Sequence, residues 1–348
     1  MKVMVAYAPN DLRIVEMEKP VPGPRETLIK VHHTGICATD VAIMKGTLTL
    51  GEGNEPIYPV RLGHEWSGVV EAVGSENWRI KPGDRVISDT GYSCGECEMC
   101  LMGQYQNCEN GRAIGTIRDC WPGAFAEYML MPERLVFKVP DNVALDAAAL
   151  IEPASIGLYG VERAGITPRK KLAVIGTGPI GLGGMACAKG QGIGKTILVG
   201  RKDVKLEIGR KLGADILVNT TRESMIEVIM RETDGKGADI VLDTTGDASI
   251  FNDVCKCVRS SGCLVVPGFY EKPIPNADLD NLIVRNCTLI GAAGTPNMGR
   301  KLLDLMSYGH VDLTPMITDR FPFSQVKEAF DAVSSRNDSR VKIMVDFV

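Results

Sequence analysis

The sequence predicts an α/β protein, with a compact β-barrel half joined to a doubly wound parallel-sheet half. Three observations predict it. Through about residue 140, short strand-like runs are broken by Pro/Gly turns such as Val21-Pro22-Gly23-Pro24. From Lys170 onward, strand-like and helix-like runs alternate, the pattern of parallel strands with helices on both faces. A length of 348 residues, 45% apolar and 24% charged, leaves room for two cores in a chain of ordinary soluble composition.

Composition also narrows the function. The net charge is −4 with no basic stripe, which argues against a nucleic-acid partner. No apolar run approaches the ~20 residues of a membrane helix. Met1-Lys2-Val3-Met4-Val5 starts like a strand, without the apolar core of a secretion signal. Four of the eleven cysteines lie in one short cluster, which points to metal binding in a reducing, cytoplasmic setting rather than to disulfides.

Taken in order, Thr27-Leu28-Ile29-Lys30-Val31 reads as a strand, and Cys37 follows at a strand end, where a side chain can face a cleft. Residues 40–58 read as loop with a short helix. Gly63-His64-Glu65 then sets an imidazole beside a carboxylate. Alone, such a histidine is more often structural. With Cys37 the set becomes thiolate, imidazole and carboxylate, which suits zinc and leaves a fourth position open for chemistry. Lys81-Pro82-Gly83-Asp84 is a turn feeding another strand. Cys94, Cys97, Cys100 and Cys108 come next, spaced C-x2-C-x2-C-x7-C. Four thiolates in one lobe can close a tetrahedron around a structural Zn²⁺. Redox pairing and an iron–sulfur cluster are the alternatives.

Cys37-Ala38-Thr39-Asp40, Gly63-His64-Glu65, Lys81 to Val86, the four-cysteine lobe and Gly123-Ala124-Phe125-Ala126-Glu127-Tyr128 occur in this order. The chain thereby resembles the zinc-containing medium-chain alcohol dehydrogenase family. It is more similar to the sorbitol, polyol-phosphate and threonine dehydrogenase branch than to the ethanol enzymes. The resemblance spans essentially the whole chain. It implies a GroES-like β-barrel catalytic domain with an inserted Rossmann nucleotide domain. The expected division is 1–153 (with a zinc lobe at about 90–112), 154–290, and 291–348 returning to the catalytic domain. It also implies assembly as a homodimer or homotetramer.

Further residues take meaning from the resemblance. Glu152 stands where the ethanol enzymes have a third, cysteine ligand. It is expected to ligate zinc, to exchange with Glu65, or to hold a water; the bland alternative is a solvated glutamate. The Ala147–Leu150 run suits a helix that Pro153 interrupts. Asp40 resembles the carboxylate that orients His64 through its other ring nitrogen. Thr39 matches the family's hydroxyl relay, and Ala42 stands where the ethanol enzymes end that relay in a histidine. Ile43 replaces the histidine usual in threonine dehydrogenases. Arg118, Asp119 and Trp121 are candidate substrate contacts.

The second half opens with Lys170–Ile175 as a buried strand, then Gly176-Thr177-Gly178-Pro179-Ile180-Gly181 and a small-residue helix. That strand–glycine loop–helix context marks a dinucleotide site. Gly176 permits the tight turn, Gly178 lets the pyrophosphate approach, and Gly181 lets helix and strand pack. Pro179 suits an early helical position, and the free N–H groups there meet phosphate. The next strand, Thr196–Val199, ends in Gly200-Arg201-Lys202. An acidic residue at that point serves the ribose hydroxyls of NAD(H). Glycine followed by cations favours the 2′-phosphate of NADP(H), with NAD(H) still possible. Asp203 is a rival ribose ligand. Helices at 203–213, 222–232 and about 248–258 alternate with strands at 216–218, 240–243 and 263–266. Thr245, Gly268 and Ala292 fall at strand ends, where cofactor binds. Cys187, Cys255, Cys257, Cys263 and Cys287 read as small buried residues.

These readings lead to a zinc-dependent oxidoreductase that moves hydride between NADP(H), or NAD(H), and the secondary alcohol or ketone of a polyol, sugar or sugar derivative. The metal would acidify the hydroxyl while the nucleotide site holds the acceptor near it. The same chemistry on a simple secondary alcohol, and a non-enzymatic binding relative of the fold, are the competing readings. Intact Cys37, His64 and Glu65 argue against the last.

Overall fold

The computed structural model describes residues 1–48, 55–88, 91–117, 120–270, 273–294, 298–335 and 337–347. Arg118 and Asp119 lie outside them.

The first half is organised around one long strand, Glu26–Gly35, whose buried residues Ile29 and Val31 face a core with Val70, Val86, Met129 and Met131. It pairs antiparallel with Glu65–Val73 on one side. On the other it pairs with Tyr128–Pro132 at one end and Lys342–Asp346 at the other. Arg85–Ser88 and Val136–Lys138 extend the sheet one way, and Ile317–Pro322, parallel to Lys342–Asp346, extends it the other way, making seven strands. The strand Lys342–Asp346, near the end of the chain, is thus hydrogen-bonded to Glu26–Gly35, near its beginning. At the end of that strand, Gly35 faces Glu65 across one ladder and Met344 across the other.

The second half is a six-stranded parallel sheet in the order Ile216–Asn219, Lys195–Gly200, Lys171–Ile175, Ala238–Asp243, Val258–Val266 and Thr288–Gly291. The reversal of strand order beside Lys171–Ile175 is the switch point where such sheets bind ligands. Near-continuous apolar strands fit a sheet covered on both faces: two buried clusters flank it, one around Leu172, Val174 and Leu242 and one around Ala173, Ile175 and Val241.

Some local expectations change. Pro153 does not interrupt a helix. The break falls at Leu150, between helices Leu145–Ala149 and Ile151–Arg163, and Pro153 is third in the second helix. There its missing N–H has no intrahelical acceptor to lose. Cys263 and Cys287 are only half-buried, whereas Cys187, Cys255 and Cys257 are buried as expected. The helix expected at 222–232 starts later, at Met225, because the Ser224 hydroxyl caps it.

Candidate active site

The sheet register delivers the site. Cys37 caps the helix Ala38–Lys45 just beyond the end of Glu26–Gly35, while His64 and Glu65 open the neighbouring strand. One ligand atom each from Cys37, His64 and Glu65 lies within 4.8 Å of the others. Glu65 is fully buried, and Gly35 makes room for it, since a Cβ there would collide with Glu65 Oε2. Asp40 is fully buried and held by the backbone: its Oδ2 accepts from Cys37 N at 2.9 Å and its Oδ1 from Gly63 N at 3.2 Å. Oδ1 lies 3.6 Å from His64 Nδ1, facing the ring without closing a hydrogen bond and leaving Nε2 for a cation. Thr39, in the first turn of the helix, places its hydroxyl 3.6 Å from Cys37 Sγ.

The electrostatics test whether zinc fits. Glu65 Oε2 is a buried oxygen with no hydrogen-bond partner, a costly state unless a ligand answers it; His64 Nδ1, also unpartnered, is turned toward Asp40. Burial opposes charge on His64, yet Asp40, Cys37 and Glu152 outweigh it and raise its pKa well above the usual value. Burial pushes Glu152 up to about 7, with Glu65 and Asp40 adding to the shift while His64 and Lys342 oppose it. The pocket therefore holds more anionic groups than cations to balance them, and its donors are those zinc takes. Glu152 stands outside the tight three-residue set, near enough to act on His64.

Sequence reasoning missed Lys342. It is 3% exposed, its Nζ lies 2.6 Å from Glu65 Oε1, and it also donates to the Ile36 carbonyl at 3.0 Å. Burial disfavours its charge, but Glu65, Cys37 and Glu152 hold its pKa above the ordinary lysine value. The available signal was a lone lysine inside the apolar run Val341–Val345. A buried lysine needs a carboxylate partner, but nothing local identifies Glu65 as that partner.

The cysteine lobe gathers its four sulfurs in one place. Sulfur–sulfur separations of 3.5, 3.8 and 4.0 Å join Cys94, Cys97, Cys100 and Cys108. A tetrahedron of thiolates at ~2.3 Å from zinc has edges of about 3.8 Å, whereas a disulfide measures ~2 Å. The Glu96 and Cys97 N–H groups draw the Cys94 thiol down to about 6, and burial pushes Cys100 up to about 12.

On the nucleotide side, Gly176 has φ +117, and a Cβ there would sit 2.5 Å from Thr244 Oγ1. Nothing lies within 4 Å of where a Gly178 Cβ would be, so the loop is open on that side. A Cβ on Gly181 would strike the Gly176 carbonyl. Gly178 caps the helix Pro179–Gly190, which has proline in its first turn and Ile180 beside it. Thr245, Gly268 and Ala292 lie just past the carboxyl ends of parallel strands, at the same edge of the sheet as Gly176 and Gly200. Arg201 and Lys202 are exposed, and Lys202 pairs with Asp338. The Asp203 carboxylate is taken by Arg222 and by Asn219, and that pairing with Arg222 holds it down at about 2.

The two half-sites are joined by small residues. The helix Ile151–Arg163, which carries Glu152, lies against Pro179–Gly190. A Cβ on Gly183 would be 2.7 Å from Ala154, and one on Gly184 2.7 Å from Gly157. Larger side chains would separate the metal set from the glycine loop.

The chain is similar to known proteins along its length. Residues 23–141 match the alcohol dehydrogenase GroES-like domain and residues 179–308 the zinc-binding dehydrogenase family. The D-arabitol-phosphate dehydrogenase of Enterococcus avium is 32% identical, over 99% of this chain and 97% of its own length. The sorbitol dehydrogenase of Bacillus subtilis is 30% identical, with the same two coverages. A Sinorhizobium meliloti chain solved with NADP bound superposes with a TM-score of 0.89, at 28% identity over 99% of this chain and 98% of that one.

Proposed function

Because the chain belongs to the zinc-containing medium-chain alcohol dehydrogenase family, in its polyol branch, we propose that it transfers hydride between NADP(H) and a secondary hydroxyl or ketone of a polyol, sugar or sugar derivative. One observation supports this most: Cys37, His64 and Glu65 converge within 4.8 Å, with a buried Glu65 oxygen left unanswered. When bound, zinc supplies Lewis acidity that lowers the pKa of a substrate hydroxyl, and the nicotinamide supplies the hydride acceptor.

The chain's own residues do the rest. Cys37, His64 and Glu65 hold the metal, and Glu152 serves as a further ligand or holds a water beside it. Asp40 fixes the imidazole, and Lys342 pins one oxygen of Glu65. Thr39 Oγ1 passes the hydroxyl proton onward, and with Ala42 in place of a relay histidine the proton leaves through water near Glu152. Gly176, Gly178, Pro179, Ile180, Gly181, Thr245, Gly268 and Ala292 seat the nucleotide. The cysteine lobe holds the structural zinc. A panel of polyols, sugars and simple secondary alcohols, read by absorbance of reduced nicotinamide with each cofactor, tests the function. Turnover confined to simple alcohols would reject the polyol assignment.

Cofactor choice rests on Gly200, Arg201 and Lys202. A Cβ on Gly200 would lie 2.5 Å from Thr177 Cγ2, so an aspartate introduced there would disturb the glycine loop as well as specificity. Arg201→Leu is the cleaner variant. It should weaken NADPH by roughly tenfold or more, the loss of a charge-assisted phosphate contact, and leave NADH nearly unchanged. Equal effects on both would reject NADP(H) as the preferred cofactor.

We further propose self-association as a homodimer or homotetramer in the cytoplasm. Four of the cysteines gather in one metal-type lobe and not in disulfides, which suits a reducing compartment. No helix among the described residues is long and apolar enough to cross a membrane. Thr288–Gly291 is an edge strand, and Leu289, Ile283 and Val284 beside it are 52%, 67% and 80% exposed. Such an edge calls for a cover, and a second copy supplies one. Leu289→Lys should lower the mass seen by light scattering toward that of one chain; an unchanged mass would remove this edge from the interface.

A further inference from the structure

The cations just past the strand Lys195–Gly200 are not left to solvent. Lys202 Nζ lies 2.6 Å from Asp338 Oδ2. Asp338 comes from the far end of the chain, in the turn between the helix Val326–Ser334 and the strand Lys342–Asp346. Lys205, one helical turn beyond Arg201, is half-buried and has no ion-pair partner among the described residues. Burial pulls its pKa down, with Asp338 opposing that shift. The hydrogen bond from Lys202 keeps the Asp338 carboxyl below its usual range, and the charges of Lys202, Lys205 and Arg201 add to the effect. Arg340 is answered separately by Asp319, at 3.2 Å. Asp338 thus answers Lys202 by contact and bears on Lys205, while Arg201 also bears on Asp247; these cations follow the glycine that takes the place of a ribose-binding acid. A phosphate dianion with three acceptor oxygens matches these cations.

We propose that Asp338 is an internal competitor for the adenosine 2′-phosphate: it occupies Lys202, between Arg201 and Lys205 in the chain, and so sets how strongly the site favours the phosphorylated nucleotide. Lys205 is a phosphate-binding residue beyond the Gly200-Arg201-Lys202 run. The idea rests on the NADP(H) reading. An arriving phosphate takes over Lys202 and is repelled by the carboxylate it displaces. The same event releases a tie between the returning end of the chain and the nucleotide half.

Binding of adenosine 2′,5′-bisphosphate and adenosine 5′-monophosphate to the full chain, measured by calorimetry, tests this without turnover. In wild type the bisphosphate should bind more tightly. In Asp338→Asn the bisphosphate preference should rise by roughly twofold to fivefold, the scale of one charge in an exposed setting, with the monophosphate unchanged. In Lys205→Met the preference should fall by a similar factor. A wild-type preference that neither variant alters overturns the competitor. A wild type without preference overturns the NADP(H) reading. If Asp338→Asn then creates a preference, the competitor stands without that reading; if it does not, both are wrong.

Discussion

Cys37→Ala should reduce turnover by at least about a thousandfold, since several kcal/mol of charge stabilisation disappear with the metal. It should keep the fold and about half the zinc, because the four-cysteine lobe is a separate, closed set. Cys37 is half-buried at a helix N-cap, so alanine there opens no large core cavity. Metal analysis, circular dichroism and kinetics on the same preparation decide the matter. Cys100→Ser provides the contrast: it should cost stability and solubility first, with the catalytic set intact. Full activity in Cys37→Ala would remove the metal role. A Cys100→Ser protein as stable as wild type but inactive would reverse the two assignments.

Lys342→Met should destabilise the protein by about 3–5 kcal/mol, the usual result of removing one partner from a fully buried ion pair. Glu65 is 0% exposed and Lys342 3%, so water cannot replace the lost partner. The effect should be larger after zinc is removed, because the metal is the other cation that can answer Glu65. Lys342→Arg retains the charge and should recover part of the loss. Chemical denaturation of the three proteins measures this. A loss below about 1 kcal/mol would place the pair in the class of solvent-screened bridges.

The parts of the site that lie within one local stretch were legible in the sequence. Gly176 to Gly181 announce a strand–turn–helix because each glycine answers a local steric demand. Cys94 to Cys108 announce a metal because four thiols in so short a stretch have few other uses. Cys37 and His64 were joined by the chemistry of their donor atoms and not by spacing, since they stand 27 positions apart with the helix Ala38–Lys45 between them. Lys342 was not legible. Its partner lies 277 positions away, and only the register of Lys342–Asp346 against Glu26–Gly35 brings the two together. The Lys202–Asp338 contact spans 136 positions and was hidden for the same reason. Pro153 misled for a different reason: proline breaks a helix interior but is tolerated in its first turn, and the sequence pattern does not mark where that helix begins. Asp203 looked available as an acid and is committed to Arg222, a pairing of side chains from neighbouring strand ends.

The most direct test of the metal site is the visible spectrum of the cobalt-substituted protein. With cobalt in place of zinc at Cys37, His64 and Glu65, adding a reduced cofactor and a polyol together should shift the cobalt bands, and Cys37→Ala should abolish the shift. Bands that stay unchanged in wild type under saturating cofactor and polyol, or that shift equally in Cys37→Ala, would contradict a cation held open beside the nucleotide.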